Sequence, residues 1–209
     1  MMGKVLRINR LLKILIIACI PCAIQAQTRF TWGLEWGYGG VFLDSHNFNY
    51  FTTDGVRVQD SDTFFTIKSC GIILLNAGVN FGNHWTAGLY SGYTSVFEAR
   101  KVVPYSLRMT YLFNGFDNAG WKVFLDAGSA IPLKGSFNKK PTLMAKVGTG
   151  YRIPIYKNFC LDGFLALQFA ADHPFEILDK YTHQPVPPQE LRHSDRSTLG
   201  FQTGLSLKF

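Results

Sequence analysis

One short tract, Arg192-His193-Ser194-Asp195, sets a hydroxyl beside a base and an acid, with His173 and His183 upstream. Acyl transfer by serine needs those three residue types, with the base in hydrogen-bond reach of the hydroxyl and the acid orienting the base. The spacing argues against that chemistry. Neighbours on an extended chain project to opposite faces, so His193 and Ser194 do not meet. The stretch Pro185 to Pro188 suits an irregular surface loop better than a rigid site. His173, His183 and His193 lack the tight ligand spacing of a metal centre. The tract reads as a solvated loop, and no catalytic, cofactor-binding or metal-binding residue is assigned.

A second set of chemically capable residues is spread along the chain. Glu35, Asp126 and Asp162 alternate with apolar neighbours, as do Lys68, Arg108, Lys122, Lys146, Arg152 and Lys208. Period-two alternation places each of these on the polar face of a β-strand. If the strands close into a small barrel, the nine converge on a narrow interior, where charges must pair or stay hydrated. The expectation is a salt-bridged plug. The excess of bases over acids leaves a narrow anion-preferring path or a dedicated binding site as the other readings.

The elements that carry these residues are legible. Leu199, Phe201, Thr203, Leu205, Leu207 and Phe209 alternate with Gly200, Gln202, Gly204, Ser206 and Lys208 up to the terminal residue. Phe30, Trp32, Leu34, Trp36, Tyr38 and Phe42 alternate with Thr31, Gly33, Glu35, Gly37 and Gly39. Strands are predicted near 30–42, 63–81, 85–97, 103–113, 121–131, 143–154, 159–172 and 196–209. The second is the weakest, because Ile72-Ile73-Leu74-Leu75 breaks the polar alternation. The lengths suit tilted crossings of a bilayer. The polar faces carry Gly and scattered charges, as a narrow lumen needs, and a soluble sandwich would show denser charge outside. Short connections follow strands two, four and six. Longer ones, 43–62, 98–102, 132–142 and 173–195, follow the odd strands, which is the rhythm of a membrane barrel with both termini at the periplasmic side.

Aromatics gather at one set of strand ends: Trp32, Trp85, Trp121, Tyr151 and Phe159, with Phe30, Phe81, Phe113 and Phe209. Amphipathic rings at a common level form an interfacial girdle. In loop 43–62, Asn47-Phe48-Asn49-Tyr50-Phe51 offers aromatics either for contact with another protein or glycan or for packing over the barrel mouth. Lys139-Lys140 could pair with lipopolysaccharide phosphates.

The bulk properties agree. The 209 residues are 47% hydrophobic, 15% aromatic and only 17% charged, with 20 Gly, against a charged fraction of about 25% in soluble domains. Lys4, Arg7, Arg10 and Lys13 precede the apolar run Ile14 to Ile20, and Ala26 is a plausible last residue before cleavage. Ile16-Ile17-Ala18-Cys19 also fits a loose lipobox, but Lys13 cuts its apolar run short. Residues 1–26 are therefore expected to be a cleaved signal peptide and 27–209 one barrel domain. Loss of those four bases lowers the formal charge from +7 to about +3, and no basic tract remains to suggest a nucleic-acid partner. Cys70 and Cys160 should be free thiols on distant strands.

The Gly-rich amphipathic strands, the signal peptide and the final strand ending in Phe209 resemble the small eight-stranded outer-membrane β-barrel family, which includes OmpA-type membrane domains and PorT-like barrels. The resemblance spans 27–209. It implies an all-β, antiparallel, up-and-down transmembrane barrel in a Gram-negative-type cell envelope. It implies contact with outer-membrane lipid and lipopolysaccharide, and a last strand, ending at Phe209, read by the barrel-assembly machinery. Other envelope proteins are possible partners. Members of the class range from structural anchors to enzymes, and lipid A-modifying barrels use His and Ser near the outer rim. The expected role is non-enzymatic, anchoring with outside loops for contact. The alternatives are a PorT-like accessory subunit of a secretion or assembly complex, a lipid A-modifying enzyme and a narrow channel.

Overall fold

In a computed structural model the described residues are 28–209, apart from 53–54, 97–99, 134–141, 158, 174–176, 178, 180–183, 185 and 188. The expected signal peptide, His183 and Lys139-Lys140 therefore lie outside the described residues. Eight antiparallel strands close into a barrel: β1 Arg29–Phe51, β2 Arg57–Phe81, β3 Trp85–Val96, β4 Arg100–Leu112, β5 Gly120–Pro132, β6 Thr142–Tyr156, β7 Phe159–Asp172 and β8 Leu191–Lys208. Every strand pairs with its sequence neighbours, and β1 closes the ring against β8. The register is staggered. Following directly opposed partners from Gly33 round the ring leads back to β1 at Asp44, not to Gly33. This shear tilts the strands and sets the width of the barrel. We call the end where β1 begins and β8 finishes the lower end.

Alternation decides which residue faces which side. Outside, the wall exposes Trp32, Tyr38, Leu75, Leu89, Leu107, Trp121, Leu125, Val147, Leu167 and Phe201, among other large apolar side chains. Inside lie Glu35, Arg108, Lys122, Asp126, Lys146, Arg152, Asp162, Gln168 and Gln202, all buried. This is the reverse of a water-soluble sandwich. The apolar run of β2 keeps its alternation of direction after all. Ile73 and Leu75 point out, while Ile72 and Leu74 point in and pack on Tyr90. A second apolar patch, Val102, Ala130, Met144 and Ala170, fills the interior near the upper ends of β4 to β7. Two inward glycines permit tight closure at the β1–β8 seam. A Cβ on Gly37 would run into the Thr203 carbonyl oxygen, and one on the facing Gly204 into the Trp36 carbonyl.

The lower turns are short. Gly82 and Gly115 take positive φ, 63° and 81°, which bends the chain back between β2–β3 and β4–β5. At the seam, Trp32 and Phe209 exchange backbone hydrogen bonds of 3.1 and 2.8 Å and stack with ring centroids 4.4 Å apart. Phe159 adds a ring 5.0 Å from Phe209, and Trp121 meets Tyr151 edge-on at 5.5 Å. Trp32, Trp85, Trp121 and Tyr151 are exposed on the outer surface near the lower end, and Phe159 is half-buried.

Two expected loops are corrected. Most of 43–62 is strand: β1 and β2 continue upward as a hairpin whose pairing reaches Phe51 and Arg57. The upper part of 173–195 is also strand, because β8 begins at Leu191 and pairs with β1 there. β4 likewise takes up part of the expected 98–102 connection. The wall is thus tall over β8, β1 and β2. Pairing shifts register between Val41 and Leu43. A bulge there adds one residue on β1 relative to β8 and inverts the facing of everything above it. Below the bulge odd residues of β1 point inward; above it Asp44, Phe48 and Tyr50 do.

Candidate functional site

The interior is organised as two ionic clusters. In the first, Arg108 of β4 reaches across to Glu35 of β1, with Nη1 donating to Oε2 at 2.6 Å and Nη2 to Oε1 at 3.2 Å. The same guanidinium donates to Asp126 Oδ2 of neighbouring β5, from Nε at 3.1 Å and Nη2 at 2.9 Å. Tyr90 and Phe124 cover its faces, with ring centroids 3.9 and 4.4 Å from Cζ. A planar, five-donor fork suits this double task, which a lysine could not perform. The bond to Glu35 joins β4 to β1 across the lumen.

The second cluster lies near the lower end, around Asp162 of β7. Lys122 Nζ of β5 donates to Oδ2 at 2.7 Å, and Arg152 of β6 donates from Nε to Oδ1 at 2.8 Å and from Nη2 to Oδ2 at 2.9 Å. Asp162 is fully buried. Six of the nine expected lumen charges, Glu35, Arg108, Asp126, Lys122, Arg152 and Asp162, thus meet in direct ion pairs. Lys146 and Lys208 are buried in the same interior without a carboxylate within 4 Å among the described residues. For Lys68 the structure describes the backbone alone, opposite Val41. Both cysteines among the described residues are free, Cys70 buried and Cys160 half-buried.

Above the barrel proper, the inner face of the tall wall carries a ladder. Arg196 holds Asp44 with Nε donating to Oδ1 at 2.9 Å, and a second bond joins Nη2 to Oδ2. One step higher, His46 Nε2 lies 3.1 Å from Ser194 Oγ. Next come Phe48 and Tyr50, which form a small apolar core with Ile177 and Val186 of the β7–β8 connection, flanked by Val58 and Leu191. Of the two readings of the 43–62 aromatics, packing holds for Phe48 and Tyr50: they are buried because the bulge turns them inward under the connection. Described residues of the connection bond one another beside them: Val186 N donates to Ile177 O and Asp179 N to Gln184 O, both at 2.8 Å.

The sequence tract 192–195 splits as alternation requires. Ser194 faces inward to His46, a base on another strand. Asp195 faces outward, where it pairs with His173 and, at 2.7 Å, with His193 Nε2. Among the described residues no acid hydrogen-bonds the His46 ring; Asp62, opposite it on β2, acts on it only through its charge. Among the described residues the other ring nitrogen of His46 has no hydrogen-bond partner, and Asp44, the carboxylate nearby on its own strand, is held by Arg196. Burial, aided by Arg196, holds the His46 imidazole below its ordinary pKa. A neutral His can accept from Ser194. Sequence reasoning missed this pair because His46 and Ser194 lie far apart in the chain. Among the described residues no group of three His, Cys, Asp or Glu could hold a metal ion.

No family model and no curated protein matches the chain. Solved structures do. The crystal structure of the outer membrane protein OprG from Pseudomonas aeruginosa aligns with a TM-score of 0.53 at 12% identity, over 88% of this chain and 98% of that one. The solid-state NMR structure of outer membrane protein AlkL in DMPC lipid bilayers aligns at 0.43 and 9% identity, over 87% and 90%. The crystal structure of the outer membrane protease OmpT from Escherichia coli aligns at 0.32 and 10%, over 88% and 97%. The first likeness shows a shared fold. The other two scores are too low to carry an argument.

Proposed function

We propose that this chain is an integral outer-membrane protein with a closed lumen, which anchors in the bilayer and holds its tall β8–β1–β2 wall outside for contact. The observation that carries this reading is the Glu35–Arg108–Asp126 bridge across the barrel, below an apolar layer of Val102, Ala130, Met144 and Ala170. A lumen crossed by ion pairs and packed with side chains is a plug, not a path. Closure also satisfies the backbone groups of every spanning strand, which a bilayer demands. In this reading the apolar exterior contacts lipid, the lower end lies in the periplasm with both termini, and the seam strand with Phe209 is what the assembly machinery reads. Lipopolysaccharide and other envelope proteins are the partners available to the wall.

Single-channel recording in planar bilayers tests the plug, using the full mature chain. The expected result is no discrete conductance. Steady, anion-selective openings would overturn it and favour the narrow channel, for which the two bases without direct partners, Lys146 and Lys208, are the supporting observation. The wall's role is tested by co-purification from crosslinked cells: partners at defined stoichiometry would turn the anchor into an accessory subunit of an envelope complex. Lipid A from cells with and without the protein should carry identical acyl chains, because no acid among the described residues hydrogen-bonds the His46 ring of the Ser194–His46 pair.

A further inference from the structure

The charge surplus of the interior is concentrated at one end. In the upper cluster Arg108 and Lys146 face Glu35 and Asp126, two bases against two acids. In the lower cluster Lys122, Arg152 and Lys208 surround Asp162 alone, three bases against one acid, a surplus of two. Beside this lower cluster a cavity of 440 Å³ opens at the lower end, lined among others by Arg29, Arg152, Lys157, Lys208, Phe116 and Phe209. That volume is within the range of small-molecule sites. At its rim Arg29 is already matched by Asp117, at 3.1 Å. Lys157 also lines the rim.

Lys208 is the residue that asks for a ligand. It lines the cavity, is only 7% exposed, has no carboxylate within 4 Å among the described residues, and touches aromatic density only through a long contact of 5.8 Å to the Tyr90 ring. A buried ammonium without a counter-ion is expensive. Phe116, buried on the β4–β5 turn, supplies apolar wall beside it. We propose that the lower mouth binds a small phosphate monoester. Its dianionic head would sit between Lys208 and Arg152 and match the surplus of two, and its compact apolar body would rest on Phe116. The inference stands whether the barrel is an anchor or a channel.

The test uses the full mature chain, refolded in zwitterionic micelles and titrated calorimetrically with phenyl phosphate. One saturable site is expected, weakened by added salt because the attraction is coulombic. Lys208→Met should weaken binding about tenfold or more, the loss of one charge-assisted contact. Lys157→Gln, at the exposed rim, should weaken it less, and it keeps the test decisive should Lys208→Met fail to fold. Lys101→Gln, exposed at the opposite end, should change nothing. Benzoate, a monoanion, and inorganic phosphate, which lacks the apolar body, should each bind more weakly than phenyl phosphate. Absence of a saturable site would overturn the proposal. So would binding indifferent to both lower-mouth variants, or equal binding of neutral benzyl alcohol.

Discussion

Replacing Arg108 with methionine removes one cation and strands two carboxylates. Glu35 and Asp126 are each 1% exposed, so neither can recover its hydration without opening the barrel. Four contacts between 2.6 and 3.2 Å disappear. Breaking one buried pair by deleting a partner costs about 3–5 kcal/mol. Here two acids depend on the same cation, so their losses overlap rather than add. Lys146, in the same cluster, offsets a part. The methionine stem still packs between Tyr90 and Phe124, so little of the cost is a cavity. The expected loss is about 4 kcal/mol. Equilibrium urea unfolding from lipid vesicles, followed by tryptophan fluorescence, reads it directly. The decisive companion is the triple variant Arg108→Met, Glu35→Gln, Asp126→Asn. If the cost is uncompensated charge, the neutral triple should return to within about 2 kcal/mol of the parent. A loss below about 1 kcal/mol for the single variant, or a triple variant as unstable as the single one, would refute the view that Arg108 holds the lumen shut by neutralising both acids.

The upper wall yields two further predictions. Phe48→Ala should cost about 3–5 kcal/mol of local stability in the small core with Tyr50, Ile177 and Val186; limited proteolysis should then cut the 173–190 connection faster while the barrel keeps its heat-modifiable gel mobility, and an unchanged cleavage rate would contradict the packing. His46 should make the same region acid-sensitive. Its pKa is depressed in the folded chain by burial and Arg196, so the unfolded form binds the extra proton first. The stability it contributes is therefore complete above the ordinary imidazole value and is lost as pH falls below about 6.5 toward the depressed value. Amide hydrogen exchange near Ser194, after correction for intrinsic rates, should accelerate on that descent, and His46→Gln should flatten the dependence. A region that tightens on acidification would have the sign wrong.

Period two carries the inside–outside assignment of a strand, and it does so for one residue as well as for ten. That is why Glu35, Arg108, Lys122, Asp126, Lys146, Arg152, Asp162 and Lys208 could be placed on polar faces from the sequence. What the pattern does not carry is who meets whom. Glu35 and Arg108 are 73 residues apart and sit on β1 and β4; their meeting is fixed by the shear of the whole ring, a quantity that no single strand records. The same holds for Lys122 with Asp162, and for His46 with Ser194. The lower-mouth cavity was equally hidden, because it depends on where the β4–β5 turn folds Phe116.

The misreading of 43–62 has a different cause, and it carries information about solvent. Along the lower part of β1 the outward residues are Phe30, Trp32, Trp36 and Tyr38, and the inward ones are Gly or Glu35. Above the bulge the outward residues become Ser45, Asn47 and Asn49, and the inward ones become Phe48 and Tyr50. The strand persists, but its amphipathic sign reverses. β8 changes on its outer face only: Phe201 and Leu205 face out below, His193 and Asp195 above, while Ser194 and Thr198 keep its inner face polar. A reader who follows apolar-outward alternation loses the strand at Phe42 and sees a loop. A strand with oil outside must change sign where oil gives way to water, since an apolar exterior there would be exposed to water and a polar interior would leave the capping connection nothing to pack on. The reversal on β1, with the change from apolar to polar outward residues on the paired β8, therefore locates the upper limit of the proposed hydrocarbon band near Val41 and Leu43 on β1. It also explains the bulge: inserting one residue is the shortest way for a continuous strand to turn its next apolar side chains from the outer face to the inner one.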